Sequence, residues 1–311
     1  MSFAYVVHNG EPVDIATFYN IPKGLHGTKG VPDFNPDEIY TDSVLNDSFR
    51  RDFAFNAFYY DIATDEIIDN HGGFYCIKNR LIKPIGDPYV AMEMDNSRVL
   101  RGLRFKARYN YNFSPDFEKY LRYDFDKSLK NFNIKDAGKQ LHIMFTRGNS
   151  EKILEVLYEY DLFGAFFRPV KTMADTQSNK NYVGPLTKLL DEKYNAEKKL
   201  LIIPGKDLYI AGILWPAVEK QAEKVGISKA IDEVIALQSK YYYLRPKDIE
   251  RLVALLELEY RLGKGSTSDS DLNNSHFDDA LLILKARASS DQKLEQRLEK
   301  LDKAAVIDKA A

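Results

Sequence analysis

From Ser114 onward the chain repeats one pattern, an apolar residue every three or four positions, and that period dictates helices. In SPDFEKYLRYDFDKSL (114–129), Phe117, Leu121, Phe125 and Leu129 recur at every fourth residue, behind Ser114 as N-cap and Pro115 at the first helical position. NSEKILEVLYEYDLF opens in the same way at Ser150. RPKDIERLVALLELEYRL (245–262) starts at Pro246 and sets Ile249, Leu252, Val253, Leu256 and Tyr260 on one face. The tail segment QKLEQRLEKLDKAA spaces Leu294, Leu298 and Leu301 among charges, which predicts a helix packed lightly on the body or on a partner. Polar stretches near 174–184 and 264–275 read as loops, and no internal repeat is present.

The start of the chain is different. Residues 3–18 alternate as a strand pair with a turn at HNGE (8–11). Glycines and prolines then punctuate a long polar segment, so 19–47 is expected to be a flexible loop, of a length that is usually functional or disordered. Dense aromatic sequence resumes at SFRRDFAFNAFYYD (48–61), Gly72-Gly73 breaks it, and beyond PIGDP (84–88) the helical period takes over. The expected fold class is therefore α+β, a small β-containing start followed by a large all-helical part.

Composition narrows the function classes. With 44% hydrophobic and 13% aromatic residues in 311, the chain can bury a large core or two to three smaller ones. A net charge of −2 excludes an overall electrostatic grip on nucleic acid, so any such grip must be local. The single Cys76 excludes an internal disulfide framework, and His8, His26, His71, His142 and His276 show no zinc-like spacing. The longest near-apolar run, AGILWPAV (211–218), falls short of the ~20 residues of a membrane helix, and no basic-then-apolar leader opens the chain. The expectation is a soluble cytoplasmic protein with no membrane association.

Two segments concentrate chemistry. In RRDFAFN (50–56), a helical reading would align Asp52 and Asn56 beside the guanidinium groups of Arg50 and Arg51, offering donors to phosphate and acceptors to a ribose hydroxyl. An ordinary charged helix start with Asp52 as cap fits the same pattern. In MDNSRVLRGLRFKARYNY (94–111), Arg98, Arg101, Arg104, Lys106 and Arg108 form a basic patch without an acid from Asn96 on, while Val99 and Leu103 face inward. Asp95 and Arg98 together offer an acceptor and a donor that match an adenine edge, although a solvated basic face capped by Asp95 fits as well. GKGST (263–267) lacks P-loop spacing and follows a helix, so Gly263 reads as a helix C-cap. DSD (269–271) sits in a polar loop, and SKYYYLRP reads as half-buried packing.

Taken in order, these motifs resemble the bacterial poly(A) polymerase branch of the tRNA nucleotidyltransferase/poly(A) polymerase family. AYVVHNGEPVDIATF is similar to a palm strand pair ending in a carboxylate and A-T-F, RRDFAFNAFYYD to R-R-D-F-x-x-N-A/S-L-Y-Y, and LIKPIGDP…MDNSRVLRGLRF to I-R-x-I-G-D-P…E-D-x-x-R-x-L-R-x-x-R-F. LYEYDLFGAFF, YIAGILWP and SHFDDALLILKARA resemble later helices, which favour poly(A) over CCA addition. The resemblance implies the end of a nucleotidyltransferase head over 1–80, a neck binding RNA and nucleotide over 81–145, and a helical body and tail over 146–311. It implies ATP-dependent addition of AMP to RNA 3′ ends with Mg²⁺, two ions being held by a D-x-D pair and a third carboxylate. Asp14 matches that third, catalytic and metal-binding carboxylate. Arg51, Asp52, Asn56, Asp95 and Arg98 match nucleotide contacts, and Arg101, Arg104, Lys106 and Arg108 are candidate RNA phosphate contacts.

Departures from the family pattern accompany these matches. The D-x-D pair and the glycine-rich start do not occur, Met94 stands where an acid is expected, Cys76 replaces the Asp of G-G-x-x-D-L, and Tyr5 replaces a His. The remnant of a palm sheet is the expectation for the N-terminal part, in a chain truncated or split ahead of Asp14 and inactive alone. A separately encoded palm fragment would then be a partner. The alternatives are a non-catalytic RNA- or nucleotide-binding remnant and a CCA-adding enzyme using CTP and ATP.

Overall fold

The computed structural model describes residues 3–25, 31, 33, 35, 37–125, 133–174, 176–197 and 206–308. The chain forms two compact units, Met1–Phe132 and Asn133–Ala311, and the fold class is α+β. The division falls at 132/133, ahead of the expected 145/146, and the expected boundary at 80/81 lies inside the first unit.

The first unit opens with β1 (Phe3–His8) paired antiparallel to β2 (Glu11–Ala16), His8 opposite Glu11. Asn9 and Gly10 hold φ of 53° and 82°, the pair of positive values that a two-residue hairpin turn requires. The described side chains of this hairpin are exposed on both strands. Then come α1 (Val44–Ser48), capped by Ser43, the hairpin β3 (Tyr59–Asp61) and β4 (Glu66–Ile68), and α2 (Gly73–Lys78). β5 (Leu81–Ile82) leads into α3 (Pro88–Met94), α4 (Ser97–Tyr109), β6 (Asn112–Phe113) and α5 (Pro115–Tyr123), with β5 and β6 parallel. Pro115 and Ser114 take their expected places at the start of α5, and Asp87 caps α3 by accepting the amides of Tyr89 and Val90.

Two expectations for this unit change. The 19–47 segment is not structureless where it is described: Tyr19 bridges Tyr40, Lys23–Leu25 makes a 3₁₀ turn, and Ile21 and Leu25 bury against Phe49, Ala57 and Ile85. Residues 26–30, 32, 34 and 36 lie outside the described residues. RRDFAFN is not an α-helix either, because α1 ends at Ser48 and Phe53 leaves it to bridge Pro84, with only a 3₁₀ turn over Ala54–Asn56. Burial decides this: Phe53 is fully buried against Phe117, and Gly102 on α4 faces both rings, where a Cβ would come within 3.0 Å of Phe117 and 3.2 Å of Phe53.

The second unit contains α6 (Ile134–Phe145), α7 (Ser150–Glu159), α8 (Phe163–Phe166), α9 (Arg168–Met173), α10 (Thr176–Glu197) and α11 (Lys206–Val225). It continues with α12 (Ile227–Gln238), α13 (Pro246–Lys264), α14 (Asp269–Leu272), α15 (Phe277–Ala288) and α16 (Gln292–Asp308). The loop expected near 174–184 is helical from Thr176, because Tyr182, Val183, Leu186 and Leu190 bury one face and override the polar composition. Gly263 lies within α13, and the cap is Gly265 at φ 77°. Leu294, Leu298 and Leu301 are buried as the tail helix α16 packs against α15. No helix among the described residues is long and apolar enough to cross a membrane.

α11 carries Pro216 in its interior, which cannot donate to the carbonyl of Gly212 one turn earlier. The hydroxyl of Tyr182 donates to that oxygen at 2.9 Å, and the bond is buried. Removing the donor should therefore strand a buried acceptor. Tyr182→Phe is expected to cost about 1–3 kcal/mol in urea denaturation, and adding Pro216→Ala, which restores an amide donor, should recover part of the loss. Equal costs of Tyr182→Phe in the parent chain and in the Pro216→Ala variant would contradict the assignment.

Candidate functional site

The segment between α1 and β3 meets the start of α4 through charge. Asp52 accepts two hydrogen bonds from Arg101, at 2.6 and 2.8 Å, and its Oδ1 lies 3.2 Å from Arg98 Nε. The Arg98 Nε is close enough for charge pairing yet is not aligned as a hydrogen-bond donor. Its other nitrogens donate to the carbonyls of Ala91 at 3.3 Å and Arg50 at 3.2 Å, so this buried guanidinium ties the end of α3 to the Arg50 backbone. Burial pushes the Arg98 pKa below its ordinary value, and the charges of Asp52 and Asp95 oppose that.

Arg101 also donates to Asp95 at 2.7 Å and to the Ser97 hydroxyl at 2.6 Å. Burial would lower Arg101, but the hydrogen bonds and charges of Asp52 and Asp95 raise it above the ordinary value. Asp95 C-caps α3 and accepts from the Ser97 amide and hydroxyl. Burial would raise its carboxyl, yet the bonds from Arg101 and Ser97 hold it below the ordinary carboxylate value. Asp95 and Arg98 sit in one network through Asp52 and Arg101, and the direct partner of Asp95 is Arg101. Arg101, expected among the phosphate contacts, has its guanidinium committed to two carboxylates and a hydroxyl instead.

The remaining basic residues stand along an aromatic row. Arg104 lies 5.6 Å from the Phe105 ring centroid, Lys106 5.6 Å from Phe113, and Arg108 5.4 Å from Tyr109. Phe105 stacks on Tyr109, whose ring neighbours Tyr111, and both Arg108 and Tyr109 are exposed. Asn56 is exposed at the end of the 3₁₀ turn, so the expected shared helical face with Asp52 does not form.

Sequence reasoning missed Asp47 and Tyr59. The Asp47 side chain is completely buried and accepts from the Tyr19 amide at 2.8 Å, from Arg50 Nε at 2.6 Å and from the Tyr59 hydroxyl at 2.5 Å. Arg51 donates to the same Tyr59 oxygen at 3.0 Å and stacks over its ring at 4.6 Å. Asp47 and Tyr59 thereby position Arg51. Arg50 at i+3 was the one local signal for Asp47, and neither Tyr19 nor Tyr59 is near enough in sequence to suggest it. Burial would raise the Asp47 carboxyl, but the bonds from Arg50, Tyr19 and Tyr59 hold it below the ordinary value. Burial likewise raises the Tyr59 hydroxyl, with Arg51 opposing and Asp47 assisting.

The fit of implied ligands differs between nucleotide and metal. Asp95, Arg51 and the exposed Asn56 supply acceptors and donors suited to a nucleotide. For Mg²⁺, Asp14 stands on the exposed strand β2 opposite Tyr5, and no group of three or more His, Cys, Asp or Glu able to hold a metal occurs among the described residues. One carboxylate does not make a two-ion centre.

The pattern of the poly A polymerase head domain family matches residues 7–83. Poly(A) polymerase I of Salmonella typhimurium is 24% identical over 325 residues, spanning 95% of this chain and 67% of that protein. The CCA-adding enzyme of Lactobacillus helveticus is 25% identical over 159 residues, or 50% of this chain and 38% of that one. Among solved structures, the Bacillus stearothermophilus CCA-adding enzyme in complex with CTP shares the fold at a TM-score of 0.61 and 19% identity, covering 97% of this chain and 65% of that one. A tRNA nucleotidyltransferase complexed with a primer tRNA and an incoming ATP analog reaches 0.64 at 19% identity, covering 98% and 82%. The chain thus spans about two thirds of the length of the first relatives it matches.

The Asp47 network makes a pH prediction. A carboxyl held below its ordinary 3.8 in the folded state adds stability that is present above that value and is lost as pH falls toward the folded one. Asp47→Asn is expected to lower stability by about 1–3 kcal/mol at pH 7 and to lose less than the parent on acidification, both read by urea denaturation. An unchanged midpoint at pH 7 would count against the network.

Proposed function

The chain belongs to the tRNA nucleotidyltransferase/poly(A) polymerase family, and on that premise we propose that its first unit holds ATP and an RNA 3′ end for adenylyl transfer. The observation that carries this reading is the Asp52–Arg101–Asp95 network with Arg98 beneath it, since it fixes a half-exposed carboxylate, Asp95, beside a fixed line of guanidinium groups. In the proposal, Asp95 faces the base edge with the buried Arg98 behind it as a positioning residue, Arg51 and Asn56 meet ribose and phosphates, and Asp52 orders the two arginines. Arg104, Lys106 and Arg108 with their aromatic neighbours contact RNA, where charge and stacking combine. Arg101 acts within the network. A cytoplasmic setting agrees with the single thiol, Cys76, which is buried.

Adenylyl transfer with two Mg²⁺ ions needs carboxylates beyond Asp14, and we place those in a palm segment pairing at the exposed β1–β2 hairpin, supplied by polypeptide outside residues 1–311. The open edges of that hairpin suit strand addition. Addition of CCA to tRNA is the second reading, favoured by the CCA-adding enzymes among relatives and fold neighbours. A non-catalytic nucleotide- or RNA-binding role is the third.

Calorimetric titration with ATP and with CTP separates these. ATP is expected to bind, at about tenfold lower affinity after Asp95→Asn, a loss near 1.4 kcal/mol. RNA binding should weaken with salt, with a shallower slope after Lys106→Ala and Arg108→Ala. Comparable CTP binding favours CCA addition. Incorporation of labelled AMP by residues 1–311 alone, abolished by Asp14→Ala, would overturn the need for further carboxylates; absence of both ATP and RNA binding would overturn the reading itself.

A further inference from the structure

The second unit contains a cavity of about 530 Å³ between α11, α13, α15 and α16, which adjoins another of about 370 Å³. Arg287 lines both. Its guanidinium lies 4.7 Å from the Trp215 ring centroid and donates to Glu259 at 2.5 Å and to Glu219. Trp215 lines the smaller cavity, and its buried indole N–H has no partner among the described residues.

The charges around the larger cavity do not balance. Each of its carboxylates is already engaged: Glu219 by Arg287, Glu223 by Lys220 at 2.9 Å, and Asp291 by the amides of Lys293 and Leu294 at 2.9 and 3.3 Å. Lys264, Lys293, Arg297 and Lys300 line the same space, and none has a carboxylate partner among the described residues. Lys264 is aligned over the Tyr260 ring at 5.5 Å, and Arg297 is tethered by donating to the Gly263 carbonyl.

The backbone leaves room for these cations. A Cβ on Gly263 would stand 2.7 Å from an Arg287 nitrogen, and one on Gly265 would collide with the Arg297 guanidinium. Gly265 also needs its φ of 77° to end α13. The G-K-G run that fails as a P-loop thus forms one wall of a basic cavity of the second unit.

We propose that this cavity binds a phosphorylated anion, of pyrophosphate to nucleotide size, at a site distinct from the nucleotide site proposed for the first unit. Arg287 and Arg297 form the ordered base, and Lys264, Lys293 and Lys300 form the rim. The phosphate can come from a free small molecule or from an RNA backbone.

Trp215 is the sole tryptophan and lines the adjoining smaller cavity, against Arg287, so its emission is the reporter beside this site. Inorganic pyrophosphate and an unstructured oligoribonucleotide are titrated separately into the full chain, with emission and thermal midpoint read together. A saturable change in emission and a raised midpoint are expected, with affinity at least tenfold weaker in the double variant Lys264→Ala/Lys300→Ala, which truncates two exposed side chains and is checked by circular dichroism for retained helix. Arg297→Ala, checked by circular dichroism for retained helix, should weaken binding similarly. A response to pyrophosphate supports a free anion, and one to RNA alone supports a backbone phosphate. If neither ligand changes emission or midpoint in a manner dependent on these residues, the site is refuted. It is equally refuted if Asp95→Asn abolishes the Trp215 response, since the signal would then originate in the first unit.

Discussion

Asp52 is the residue on which the first unit's chemistry depends. It lies between two arginines of α4, and it comes from a segment that has no regular structure of its own to hold it there. Two guanidinium groups drawn from water require compensation, and a buried pair that loses one partner leaves an uncompensated charge at a cost of about 3–5 kcal/mol. The bridge therefore does more than decorate the fold. It fixes where the Arg50–Asn56 segment runs against α4, and Phe53 and Phe117 close the apolar side of the same junction.

That constraint propagates outward in two directions. Arg101, fixed by Asp52, holds Asp95, which stands where α3 ends and α4 begins. Arg98, beside it, reaches back to the Arg50 carbonyl, and Arg50 in turn binds Asp47. Asp47 orients Tyr59, and Tyr59 orients Arg51. A single chain of charge-assisted bonds thus runs from the α3–α4 junction to the β3 strand. Such bonds are directional and shorter than neutral ones, so they define positions as well as contributing energy. A nucleotide-binding surface built on this chain would be set before its ligand arrives, which reduces the ordering cost of binding.

What the sequence disclosed was mostly local. Asn9-Gly10 announced a hairpin because only positive φ fits a two-residue turn, and Ser114-Pro115 announced α5 because capping is settled within one turn of chain. The family motifs located Asp52, Asp95 and Arg98 in one region. The errors arose where distant residues decide. The 174–184 stretch is polar in composition, yet Tyr182 and Val183 bury against other helices and carry it into α10. RRDFAFN has helix-compatible spacing, but Phe53 is drawn into a core formed by α4 and α5. Asp47 was invisible because two of its three donors come from Tyr19 and Tyr59, neither at helical spacing from it.

The helical unit applies the same logic to a different problem. A proline inside α11 frees the Gly212 carbonyl, and the next turns of that helix carry Trp215 and Glu219 toward Arg287. Tyr182 answers the freed carbonyl from α10, and Arg287 answers Glu219 and Glu259 from α15. Burial pushes Glu259 up to about 8 even though Arg287 opposes it, so folding takes up a proton there between the ordinary carboxylate value and that figure. The contribution of this pair to stability accordingly falls as pH rises through that window, opposite in sign to the Asp47 network. A helix bundle could satisfy its core with leucine alone. This one places a proline, two glutamates and an arginine around its only indole, and Arg287 acquires directional carboxylate partners that a sliding helix could not keep. The position of α11 against α10, α13 and α15 is thereby fixed in register, and the basic cavity beside it inherits that definition.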